Sequence, residues 1–389
     1  MIQMNSIPYG KQQITQDDIL SVVESLKSEF LTQGPLIEDF ERNFASYIGC
    51  KYAVAVSNGT AALHLSALAL GVNESSKVIT SPITFAASAN CVLYCGGKII
   101  FADIDEKSVT LDINKVRKLL SSSPKGTYQG IIPVDFAGYP VDMESFRNLA
   151  NEFGCWLLED SCHSPGGFFK DTKGKKQNCG NGQFADLAIF SFHPVKHIAC
   201  GEGGMITTND KKLYEKLLML RTHGITKDST KFKSKLKTDG AWYYEMQTLG
   251  LNYRLPDLNA ALGISQLKRA EQGIERRREI AKKYDAAFEN TKIKIFENPS
   301  GHAYHLYVIR VEDRLELYNY LKTKNIYSQV HYIPVHTLPY YQDLGWKRGE
   351  FPISESYYEQ CLSLPMYPSL TNEQQDFVIN TIKEYYYGN

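Results

Sequence analysis

The chain has 389 residues, and its 43 lysines and arginines balance 43 aspartates and glutamates, so no overall field draws it to nucleic acid or an anionic membrane. An apolar share of 43% with a charged share of 22% excludes a disordered or fibrous chain, and no run approaches the roughly 20 apolar residues of a membrane span. Residues 1–10 lack the pattern of a secretory leader, and the eight cysteines stand at no CxxC spacing, which reads as a cytoplasmic protein with reduced thiols.

The length predicts two to three domains. Short apolar runs at 53–56, 78–80, 99–102, 130–134, 156–158, 187–192 and 205–207 alternate with helix-length segments. That alternation predicts parallel strands joined by helical crossovers, an α/β sheet covered on both faces. The segment 61–70 is apolar almost all round, as a helix buried between a sheet and a neighbour would be, whereas 142–153 has a polar side and belongs outside. The Gly203-Gly204 turn before 205–208 suggests one antiparallel strand closing the order. After Pro256 the texture changes: a long charged helix at 259–288 carries Glu275-Arg276-Arg277-Arg278-Glu279, a charge run that reads as a solvated face. A strand at 305–311, a helix at 315–322, an extended stretch at 328–332 and a helix from 372 then read as a smaller α+β domain. The expected division is 1–255 and 256–389.

Three strand ends carry groups with chemistry. Ser57-Asn58-Gly59-Thr60 follows the first strand and opens an apolar helix, where glycine permits close approach and free N–H groups favour a phosphate. The same residues also suit an ordinary capped helix start. Glu159-Asp160 ends a second strand, placing a carboxylate in the crevice beyond the sheet, where it holds a cationic nitrogen or caps the next loop. Ser191-Phe192-His193-Pro194-Val195-Lys196 ends a third. An amine walled by aromatic and proline residues is poised for desolvation and Schiff-base chemistry, although a solitary lysine is commonly solvated surface. Together the three groups match the needs of pyridoxal phosphate at its phosphate, ring nitrogen and aldehyde.

With Pro82-Ile83-Thr84-Phe85, Glu159-Asp160-Ser161-Cys162-His163 and Gly250-Leu251-Asn252-Tyr253-Arg254, these segments resemble the nucleotide-sugar aminotransferases, a fold-type I pyridoxal-phosphate family, from about Tyr9 to the C-terminus. The resemblance implies a mainly parallel sheet with one antiparallel strand, and a homodimer with shared sites. It implies that Lys196 binds the coenzyme aldehyde, Asp160 pairs with the ring nitrogen and Phe85 stacks on the ring. Gly59, Thr60 and Ser191 would hold the phosphate, with Asn252 reaching it from the other subunit. Pyridoxamine phosphate would be the aminated form, and L-glutamate the donor.

Histidine at 163, where many members carry glutamine, is similar to the transaminases of pseudaminic acid synthesis, which aminate C4 of a UDP-linked 4-keto-6-deoxy-N-acetylhexosamine. By that resemblance Tyr9, Leu31, Thr32, His331 and Tyr332 line the sugar and nucleotide site. Arg254 suits an anion, either the sugar phosphates or the donor carboxylate. Lys227, Lys231, Lys233, Lys235 and Lys237 read as a solvated hairpin or a loop for the pyrophosphate. Lys196 argues against the pyridoxamine-dependent sugar dehydratases, which carry histidine there, and residues 53–60 lack the glycine-rich turn of a nicotinamide enzyme.

Overall fold

A computed structural model describes residues 6–234 and 240–388. The central sheet contains β1 (Tyr52–Val56), β2 (Lys77–Thr80), β3 (Lys98–Phe101), β4 (Gly130–Ile132), β5 (Trp156–Asp160), β6 (Leu187–Ser191) and β7 (Gly204–Thr208). Their spatial order is β1-β7-β6-β5-β4-β2-β3. Pairing is parallel except at β7, which runs antiparallel to both β1 and β6. The architecture is therefore the expected α/β one, with a single antiparallel strand.

Alternation along β1 assigns its two faces. Val54 and Val56 pack with α3 (Gly59–Ala69), while Ala53 and Ala55 join a cluster beneath α2 (Pro35–Ile48). In α3 Ala61, Ala62, Leu63, Leu65, Ala67 and Ala69 are all buried, because α4 (Ala87–Tyr94) and α7 (Lys211–Arg221) cover what the sheet does not. The outer helix α6 (Met143–Phe153) instead buries only Met143, Phe146, Leu149 and Ala150 along one side; the Asp142 side chain caps its start and Gly154, at φ 76°, ends it. Across the sheet, Phe40 and Phe44 of α2 meet Phe190 and Phe192 at ring separations of 4.9–5.3 Å. Each such buried ring contributes about 1.5–3 kcal/mol.

The predicted helix at 259–288 is two helices, α8 (Asp257–Leu267) and α9 (Ala270–Phe288). The break is at Arg269, whose guanidinium turns to Asp18 at 2.6 Å and to the Gln13 carbonyl, fixing α1 (Gln16–Lys27) to the break. α8 then lies across α1 and α2, and Gly263 makes that approach possible, since a Cβ there would sit 2.6 Å from the Phe40 ring. Residues 257–267 thus pack with the sheet.

From Ile280 onward α9 enters a second core with β8 (Tyr307–Arg310), α10 (Arg314–Thr323), β9 (Cys361–Leu364) and α11 (Asn372–Tyr387). β8 and β9 pair antiparallel. Ile7 joins this core too, because Ile7–Pro8 pairs with Ile326–Tyr327. The stretch at 328–332 makes one bridge, Gln329 to Ser363, and then turns inward.

The charge run is not wholly solvated. Arg277 is fully buried and donates to the carbonyls of Tyr304, His305 and Met366. A guanidinium with several donors can satisfy carbonyls that a hydrocarbon chain would strand. No helix among the described residues is long and apolar enough to cross a membrane.

Candidate active site

The strand ends at β1, β5 and β6 build the site from its floor. α3 begins directly after β1, and the Asn58 side chain accepts from the Ala61 amide at 2.7 Å, leaving the first-turn amides of Gly59 and Thr60 without an intrahelical acceptor. Ser191, at the end of β6, faces this turn so closely that a Cβ on Gly59 would lie 2.9 Å from the Ser191 Cβ and 3.2 Å from its Oγ. The result is a small cradle of two amides and two hydroxyls. Tyr253 and Arg254 run beside its entrance, with the Ser57 amide donating to the Tyr253 carbonyl and Arg254 bridged to Val56.

Asp160 is buried at the end of β5. Its Oδ2 accepts from Ser88 Oγ at 2.6 Å and its Oδ1 from the Cys162 amide at 3.2 Å. Among the described residues no cation pairs with it within 4 Å, so a buried carboxylate is aimed without the counter-charge that burial demands. The turn that follows is anchored below by Asp135, which accepts from Ser161 Oγ, Ser164 Oγ and the Val141 amide. Burial lifts the Asp135 carboxyl to about 6.

Lys196 lies among imidazoles. Its Nζ is 3.4 Å from His305 Nε2, and burial pulls its pKa below the ordinary amine range despite the opposing charge of Asp160. His163 is buried, with its ring centroid 4.2 Å from that of His305. Burial, then the charges of Lys196 and its neighbours, holds His163, His197 and His305 well below the usual imidazole range; burial and Lys196 bring His331 down to about 3. These rings are neutral near pH 7, which lets their hydrogen bonds assign tautomers. His163 Nδ1 accepts from the Ala137 amide, so its Nε2 carries the proton and donates to Tyr332 Oη at 3.3 Å. His197 Nε2 donates to the Ala303 carbonyl at 2.9 Å.

Of the residues singled out in the sequence, Gly59, Thr60, Ser191, Asp160, His163, Lys196, His331 and Tyr332 come together around this crevice. Tyr9 joins them through its ring, 5.1 Å from His331. Phe85 is 62% exposed and 6.2 Å from Tyr332, an uncovered aromatic face at the mouth. Leu31 and Thr32 are exposed on the loop between α1 and α2, fastened to the start of α8, and no hydrogen bond or ring contact joins them to Lys196. Asn252 is also exposed and bridges to Thr222. Of the lysine-rich stretch, Lys231 pairs with Asp228 at 3.6 Å, and Lys235 and Lys237 lie outside the described residues.

Sequence reasoning missed Ser88, His305 and Arg277. Ser88 stands four residues after Thr84, whose Oγ1 it meets at 2.7 Å, a helical spacing that could have exposed it. His305 and Arg277 left no local signal, since one reads as a strand start and the other as surface charge.

Pyridoxal phosphate fits these groups: the Gly59 cradle suits a phosphate, the unpaired Asp160 suits a pyridinium N–H, and the buried Lys196 amine, its pKa lowered, suits an aldehyde. Residues 12–383 match the model of the DegT/DnrJ/EryC1/StrS aminotransferase family. The UDP-4-amino-4,6-dideoxy-N-acetyl-beta-L-altrosamine transaminase of Campylobacter jejuni is 37% identical over 97% of this chain and 96% of its own. The structure of Helicobacter pylori PseC, an aminotransferase involved in the biosynthesis of pseudoaminic acid, superposes with a TM-score of 0.85 at 29% identity, covering 98% of this chain and 99% of that one. Spr1654 from Streptococcus pneumoniae, solved in pyridoxamine- and pyridoxal-phosphate forms, gives TM-scores of 0.88 and 0.87 at 28% and 27% identity, covering 97% of this chain and 98% of that one. With site and likeness in agreement along nearly its whole length, the chain belongs to the DegT/DnrJ/EryC1/StrS family, and it is a sugar aminotransferase that works with pyridoxal phosphate and its pyridoxamine form.

Proposed function

We propose that the chain transfers the amino group of L-glutamate to C4 of a UDP-linked 4-keto-6-deoxy-N-acetylhexosamine, with Lys196 as the coenzyme lysine. The observation that carries this reading is the Lys196 amine, its pKa lowered by burial, set among neutral imidazoles beside Asp160. Support for the sugar comes from His163 and its bond to Tyr332, and from the Campylobacter and Helicobacter relatives.

Bound coenzyme supplies an aldehyde for the donor amine and a ring that stores an electron pair. The chain supplies the rest. Asp160 holds the proton at the ring nitrogen, while Gly59, Thr60 and Ser191 bind the phosphate and Phe85 covers one ring face. The free Lys196 Nζ would carry the proton from the donor Cα to the coenzyme's former aldehyde carbon, and in the second half-reaction would carry one from that carbon to C4 of the sugar.

Tyr9, His331 and Tyr332 line the sugar pocket, and Arg254 meets an anion at its edge. Leu31, Thr32 and Asn252, exposed here and apart from Lys196, enter the site of a second copy in a homodimer. The test is to incubate the protein with glutamate and a panel of UDP-4-keto sugars and to identify aminated products by mass and NMR. Glutamate should bleach the yellow protein, and Lys196→Ala should abolish both the colour and turnover. Failure on every UDP-4-keto sugar, with amination of another nucleotide-linked keto sugar, overturns the substrate; a yellow, active Lys196→Ala variant overturns the lysine assignment.

A further inference from the structure

His305 stands just before β8, is 4% exposed and has no role in the reading above. Its Nε2 meets the Lys196 amine at 3.4 Å, and its buried Nδ1 has no hydrogen-bond partner among the described residues, so among these the Lys196 amine is the one group its side chain hydrogen-bonds. Its placement is over-determined. The ring lies against His163, 5.7 Å from that of His197, and the backbone carbonyl of the same residue accepts from Arg277 at 3.3 Å.

A freed lysine has four rotatable carbons and loses its aim unless something holds the nitrogen, and misplacement of a reacting atom by about 1 Å can cost roughly a hundredfold. We propose that His305 is a positioning residue whose Nε2 accepts a hydrogen bond from Lys196 Nζ whenever that amine is not joined to the coenzyme, keeping it directed at the reacting carbon. This rests on Lys196 being the coenzyme lysine. Among the groups facing the amine, Asp160 favours its protonated form, and Arg277 and, when charged, the imidazoles of His163, His197, His305 and His331 oppose it. A neutral His305 acting as acceptor adds to the side of the ammonium.

The experiment follows recapture of pyridoxal phosphate by coenzyme-stripped protein, through visible absorbance across pH, for the wild type, His305→Leu, His305→Asn and His305→Gln. Leucine removes the acceptor, asparagine keeps polarity but falls short, and glutamine restores the reach. Recapture should slow roughly ten- to hundredfold in the leucine and asparagine variants, with its pH midpoint moved down, and glutamine should recover most of both. If the leucine variant does not fold, the asparagine and glutamine pair decides. Equal recapture rates for asparagine and glutamine, or a wild-type rate and midpoint without any acceptor, overturn the proposal. Lys196→Ala runs alongside: if it still develops the coenzyme colour, the lysine assignment falls, whereas an uncoloured Lys196→Ala beside an unaffected His305→Leu condemns His305 alone.

Discussion

Gly59→Ala tests whether the turn after β1 is a phosphate site or only a helix start. The new Cβ would lie 2.9 Å from the Ser191 Cβ, 3.2 Å from its Oγ and 3.6 Å from Cys162 Sγ, so the end of β6 must yield by several tenths of an ångström. Alanine in a helix gains about 0.5–1 kcal/mol over glycine, and overpacking costs about 1–3 kcal/mol, so the coenzyme-free protein should lose no more than about 2.5 kcal/mol. Binding should suffer more. Ser191 is pushed off the cradle, and a hydrogen bond to a charged group is worth about 1.5–3 kcal/mol, so affinity for pyridoxal phosphate should fall roughly ten- to hundredfold. Titration by visible absorbance measures this, with pyridoxal, which has no phosphate, as the control. Equal losses for the two ligands would refute the cradle, as would native affinity for pyridoxal phosphate. Adding Ser191→Gly should restore the melting temperature without restoring the affinity, because it removes the clash together with a hydroxyl.

Arg277→Met keeps length but strands the carbonyls of Tyr304, His305 and Met366, so urea unfolding should show a loss of about 3 kcal/mol or more; an unchanged midpoint would show those carbonyls finding other donors. Asp135→Ala leaves the Val141 amide and the Ser161 and Ser164 hydroxyls without their acceptor, which should cost about 1–3 kcal/mol and weaken coenzyme binding by misaiming Asp160 and His163. A stable Asp135→Ala variant with native coenzyme affinity would remove Asp135 from that role. His302, pulled down to about 3 by burial and then by Arg278, binds its proton more readily unfolded than folded, so its stabilising contribution is whole above about pH 6.5 and shrinks as pH falls. At about 1.4 kcal/mol per unit it should cost about 2 kcal/mol between pH 6.5 and 5. His302→Asn, which can still accept from the Tyr304 amide, should flatten that slope in urea melts; parallel slopes would refute a neutral His302.

The strands and the place of Lys196 were legible because each depends on a short run of sequence. The alternation at 53–56 and the apolar ends of β5 and β6 specify strands locally, and Gly59 and Lys196 follow those ends within a few residues. Asp160 was legible for the same reason, but Ser88, which orients it, comes from a helix 72 residues away. The break at Arg269 was hidden because its cause is Asp18, on the far side of the sequence, while residues 259–288 alone favour one continuous helix. Arg277 was misread because its neighbours Arg276 and Glu279 are indeed a surface pair, at 2.9 Å, and periodicity does not tell which of three consecutive arginines faces inward.

Helix α9 starts against the sheet and ends in the second core, and from its middle Arg277 clamps the backbone on which His305 is carried. The buried guanidinium therefore couples the position of His305 to the helix. Any repacking of that second core would shift the imidazole against the Lys196 amine, so the reach of one side chain is tied to the packing of a distant hydrophobic cluster.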